Sequence, residues 1–100
     1  MNLVLNYEGF EKYLLSREEV YNGVRYRFKF DNLFGASVIK RIGSYGYEED
    51  LWELAVLNYR YGNNKGCIDY DTNITDDVIG NLNDEQVREL LIKIKELPLQ

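Results

Sequence analysis

The amino-acid sequence predicts an α+β domain: an antiparallel meander of four to five strands, a short N-terminal helix, and a C-terminal amphipathic helix packed on one sheet face. Three observations carry this expectation. "VRYRFKF" (24–30) alternates strictly, with Val24, Tyr26, Phe28 and Phe30 on one side and Arg25, Arg27 and Lys29 on the other, as a half-buried strand requires. Turn residues recur between β-branched and aromatic runs. The segment after Leu82 then changes to a helical period and carries its own start and stop signals.

"NLVLNY" (2–7) can form a short strand, and "EGFEKYLLS" (8–16) places Phe10, Tyr13 and Leu14 on one helical face. Two to three turns of helix are stable only when packed on something else. In Tyr21-Asn-Gly-Val24, Asn-Gly lies between two strand-like runs and predicts a tight hairpin. A second turn at "DNLFG" (31–35) leads into a strand at "ASVIKRI" (36–42), a polar loop at 43–50, and a further strand at "LWELAVLNY" (51–59). "GNNKG" (62–66) is the strongest turn and returns the chain to a last strand, "CIDY" (67–70).

The C-terminal helix is expected over 84–97. Asn83 is a good N-cap, Gln86 completes a capping box, and Leu82 with Val87 can form a hydrophobic staple. Asp84 and Glu85 sit at the positive end of the helix dipole, Lys93 and Lys95 at the negative end, and Pro98 closes it. The stripe Val87, Leu90, Leu91, Ile94 and Leu97 should lie across the sheet. Together with Val24, Tyr26, Phe28, Val38, Leu54 and Val56 it makes the predicted core.

One hundred residues, 45% hydrophobic, with nine Tyr, four Phe and one Trp, suit one domain (1–100) with an ordinary core. No window resembles a membrane span or a signal peptide, so a soluble, non-exported protein in an intracellular setting is expected. The net charge of −5 is uneven, because residues 1–65 carry nine acidic and nine basic side chains and the excess acid lies beyond them.

"DYDTNITDD" (69–77) spaces oxygen side chains at every second position, as a calcium loop does. Ile74 and Gly80 nevertheless stand where an EF-hand needs its glycine and its bidentate glutamate, so turn chemistry is the better reading and no metal is assigned. Histidine is absent, which removes the usual general base. Cys67 has no activating neighbour on the chain and reads as a small buried strand residue. Neither phosphate-cradling glycine motif occurs. An enzyme is therefore not expected, and neither is a cofactor.

Two surfaces remain. The acidic candidates for a protein partner are Glu48, Glu49 and Asp50 in one run and Asp69, Asp71, Asp76 and Asp77 in another. The alternative is a nucleic-acid face of Arg25, Arg27, Lys29, Lys40 and Arg41, against which a pI near 4.7 argues.

The stretches "VYNGVRYRFKFDNLFGASVIKRIGSYGYEEDLWELAVL" (20–57) and "ITDDVIGNLNDEQVRELLIKIKELP" (74–98) resemble short accessory proteins of phages and prophages of Gram-positive bacteria. The likeness lies in the Tyr-Asn-Gly turn, Phe-Gly-Ala-Ser-Val, Leu-Trp-Glu-Leu-Ala-Val and Thr-Asp-Asp-Val-Ile-Gly. That group carries no assigned catalytic residues. The resemblance implies a protein that binds a host or phage protein, with inhibition of a restriction or CRISPR-type nuclease through an acidic surface as the leading expectation. A virion or assembly role, with self-association, stays open beside it.

Overall fold

Turn and strand chemistry settle the topology from the first hairpin onward. The computed structural model describes residues 1–60, 66–69, 72–75 and 78–99. Strands β1 (Leu14–Val20), β2 (Gly23–Lys29), β3 (Phe34–Lys40), β4 (Trp52–Asn58) and β5 (Cys67–Ile68) pair antiparallel in chain order. A sixth strand, β6 (Ile79–Leu82), pairs with the start of β4, while β5 pairs with its end. The helix α1 (Asp84–Lys95) packs on β3, β4 and β6. This is the α+β meander that the sequence predicts, with one more strand.

Alternation places the core. Val24, Phe28, Val38, Leu54, Val56, Val87, Leu91 and Ile94 are fully buried, Tyr26 nearly so, and Leu90 is partly buried against them. Trp52, Phe30, Phe10, Leu5, Ala36 and Leu82 join the cluster, with Tyr26 and Trp52 edge to face at 5.8 Å. The capping box forms as expected, with Asn83 Oδ1 accepting from the Gln86 amide and Gln86 Oε1 from the Asn83 amide. The far end of the helix is held by a group the sequence does not announce. Buried Asn32 places its Nδ2 2.9 to 3.2 Å from the carbonyls of Ile94, Lys95 and Leu97 where the helix ends and carbonyls run out of intrahelical donors, although Ile94 O also accepts from the Leu97 amide.

Several local expectations change. Residues 2–7 are not a strand, because side chains take their backbone groups: the Leu5 amide donates to the Tyr26 hydroxyl, which donates to the Leu3 carbonyl, and Lys40 Nζ donates to the Asn2 carbonyl. The N-terminal helix is one 3-10 turn, Glu11–Tyr13, since Leu14 already pairs with Phe28. Phe10, Tyr13 and Leu14 still reach the core.

The first hairpin turns on Tyr21-Asn22, both at positive φ, rather than on Asn22-Gly23. Gly23 is needed inside the strand, where a Cβ would lie 1.9 Å from the Lys40 carbonyl oxygen. Apart from Gly66, the turn expected at 62–66 lies outside the described residues, as does Tyr70 at the end of the strand expected over 67–70. Cys67 is exposed rather than buried, on the two-residue strand β5, both of whose residues are exposed. β6 escapes notice in the sequence because its Gly80 reads as a turn residue. A Cβ there would meet Tyr45 Cβ at 2.4 Å, so the glycine admits the crossing loop.

Candidate functional site

The face of the sheet away from α1 is built from the alternate residues of the same strands. Glu18 stands opposite Arg25, and Ser16 and Ser37 flank Arg27 from β1 and β3. Glu18 bridges both arginines: Arg25 Nη2 donates to Oε2 at 3.0 Å, and Arg27 Nε lies 3.1 Å from Oε1. The hydrogen bond from Arg25 holds the Glu18 carboxyl below its usual range, against an opposing effect of burial and with help from Ser16. A cavity of about 470 Å³ opens here, lined by Glu18, Arg25, Arg27, Ser37, Leu57, Gly66 and Ile68.

Beside it, Tyr59 is 2% exposed. Gly35 and Gly66 make its slot, since a Cβ on either would come within 2.7 and 2.9 Å of the ring. Burial pushes the Tyr59 phenol above its usual value, opposed by the charges of Arg27 and Arg25. Lys29 lies over the same ring at 5.5 Å from its centroid.

The basic row is therefore only partly what alternation suggests. Arg25, Arg27 and Lys29 share this outer face, and Arg41 lies 5.4 Å from the Tyr21 ring centroid at the hairpin end. Lys40 does not join them. Its pairing with Val24 turns it to the helix side, where it is 2% exposed, 2.8 Å from Asp50 Oδ1 and 4.2 Å from the Trp52 ring centroid. A buried lysine that clasps the N-terminal segment is structural, which corrects its place in a nucleic-acid face.

The acidic candidates divide as well. Glu48 and Glu49 are exposed on a 3-10 turn, Tyr47–Glu49. Asp50, although exposed, accepts from Lys40 and from the Asn2 amide, and the Lys40 hydrogen bond lowers its pKa. Asp69 accepts from Asn58 Nδ2 at the far end of β4, a strand about 20 Å long at ordinary rise. Asp71, Asp76 and Asp77 lie outside the described residues. Among the described residues no cluster of His, Cys, Asp or Glu has metal-ligand geometry, and no helix is long and apolar enough to cross a membrane.

What residue-by-residue reasoning misses is the end of the sheet where β1 meets β2 and β3 meets β4. Tyr21, Ile42 and Tyr45 are exposed there by 79%, 53% and 65%. Tyr21 sits at φ 39 in the turn, its carbonyl accepting from the Ile42 amide, and the two side chains with Asn22 and Arg41 line a shallow cleft of about 300 Å³. Tyr45 is pinned by its amide to Glu53 Oε1 and by its carbonyl to the Asn81 amide. A tyrosine where a hairpin turn prefers Asn or Gly was the available clue.

No protein-family model, no curated protein and no solved structure matches the chain.

Proposed function

We propose that this is a non-catalytic binding protein that engages another protein through the loop end of its sheet. The observation that carries the reading is the exposed pair Tyr21 and Ile42 lining one cleft at this end of the sheet, with exposed Tyr45 pinned on the loop that follows Ile42. Large apolar side chains grouped on a surface mark interaction sites, and tyrosine and arginine are enriched where binding energy concentrates. A left-handed tyrosine costs roughly 1–2 kcal/mol, backbone strain of the kind that collects at functional sites.

Glu48 and Glu49 lie on the loop that carries Ile42 and Tyr45 and give this surface an acidic rim. With a net charge of −5, that rim suits a partner with a basic surface. The narrower form of the proposal is a phage or prophage accessory protein, working in the cytoplasm of a bacterial host, that covers the nucleic-acid channel of a restriction or CRISPR-type nuclease. Its support is the charge and the sequence resemblance. Nucleic-acid binding has less support, because Glu18 bridges Arg25 and Arg27 and Lys40 faces inward.

The test is affinity capture from nuclease-treated host lysate with the native chain and with Tyr21→Gln/Ile42→Gln. A partner that survives nuclease and is lost at least tenfold by the double variant, at unchanged Tm, is expected. Release of every partner by nuclease, or full retention by the double variant, would overturn the reading.

A further inference from the structure

The hairpin tip has a second cleft with a different chemistry. The first, between Tyr21 and Ile42, includes Arg41. The second, of about 520 Å³, is lined by Leu3, Glu19, Val20, Tyr21, Asn22 and Gly23. Tyr21 and Asn22 line both, so the tip of the hairpin stands between the two. Their positive φ values make a two-residue turn that closes on the pair Val20 and Gly23 and fixes the tip on the sheet.

The second cleft is equipped for a cation. Glu19 is the one charged side chain among its lining residues, is exposed, and among the described residues forms no ion pair and no side-chain hydrogen bond. The basic groups that face the same side of the sheet are engaged elsewhere, since Arg17 Nε donates to the Tyr26 hydroxyl at 3.0 Å and Lys40 Nζ to Asp50. Leu3 and Val20 add apolar wall, which suits the aliphatic stem of a long cationic side chain. The Tyr21 ring, 79% exposed as a residue, supplies a π face. That ring already packs against one guanidinium, because Arg41 Cζ lies 5.4 Å from its centroid.

We propose that this cleft receives an arginine side chain of the protein partner, its methylenes against Leu3 and Val20, its guanidinium against the exposed Tyr21 ring and paired with the Glu19 carboxylate. The inference rests on the loop-end reading for its partner and sharpens it, because it names the side chain that the partner brings to the hairpin tip. Arginine fits better than lysine, since a planar guanidinium stacks on an aromatic ring and offers a carboxylate two N–H groups at once. An acidic side chain in the same place would be repelled by Glu19.

The probe is Nα-acetyl-arginine N-methylamide, with the citrulline analogue as its neutral isostere, titrated into the full chain at low ionic strength and followed by ¹H–¹⁵N amide signals. The signals of residues 19–23 should shift together and saturate with a Kd of roughly 10 mM or tighter. The citrulline analogue should bind at least about threefold more weakly, and Glu19→Gln should weaken arginine binding by a similar factor, as an exposed ion pair implies. Absence of saturation, equal binding of the citrulline analogue, or unchanged affinity in Glu19→Gln overturns the proposal. Neither probe involves the partner, so this reading and the capture experiment fall separately. Arginine binding without a captured partner keeps the cleft and removes the loop-end reading, and a captured partner without arginine binding does the reverse.

Discussion

The two faces of strand β2 obey different rules. Val24, Tyr26 and Phe28 point to the helix and vanish into an apolar cluster, whereas Arg25, Arg27 and Lys29, one residue out of phase, stay half-buried on the opposite face. On the first side the apolar side chains pack into one cluster, and buried Lys40 is ion-paired to Asp50. On the second, Glu18 pairs with Arg25 and Arg27 at the edge of a cavity, and among the described residues Arg25 Nε and the Tyr59 hydroxyl make no hydrogen bond. Stability should therefore be concentrated on the helix side, with binding capacity at the loop end.

That contrast can be broken or sharpened by substitution. The largest loss is expected for Leu91→Ala, which empties a fully buried position between α1 and the sheet and should cost about 2–5 kcal/mol in urea unfolding. A loss below about 1 kcal/mol would undo the docking of α1. Gly23→Ala comes next. Its methyl would collide with backbone of β3, and a cost of roughly 1–3 kcal/mol in the same assay is expected from strand displacement. Asn83→Ala removes one half of the capping box and should lower stability by about 1 kcal/mol, measurable as a fall in Tm.

The smallest effect belongs to the outer face. Glu18→Gln should change stability at neutral pH by less than about 1 kcal/mol, because its ion pairs are partly exposed. Its pH signature is more telling than its size. The folded Glu18 pKa lies below its ordinary unfolded value, so the contribution is present above that unfolded value and is lost as pH falls through the folded pKa. Urea midpoints compared between neutral and acidic pH should fall less steeply in Glu18→Gln than in the native chain. Identical slopes would remove Glu18 from the charge network.

Legibility in the sequence follows the range of the interactions. Period two in 24–30 and the capping box at Asn83 and Gln86 are local, and both can be read directly. Lys40 and Arg41 are adjacent, yet only cross-strand register reveals that Lys40 faces Trp52 and Asp50. Asn32 capping α1 spans 62 residues and has no local mark. The same holds for the candidate sites. The arginines of β2 are visible, but Tyr59 becomes part of the outer face only through slots left by Gly35 and Gly66, and β6 exists only because Gly80 admits Tyr45. Of the acidic residues, Glu48 and Glu49 remain surface features while Asp50 and Asp69 are tied into the fold.

The central functional claim, that partner binding belongs to the loop end and not to the basic face, is tested most directly by one capture experiment with two double variants side by side. Tyr21→Gln/Ile42→Gln should lose the nuclease-resistant partner, and Arg25→Gln/Arg27→Gln should retain it. The reverse pattern would contradict the account and move the protein-binding surface to the outer face of β2.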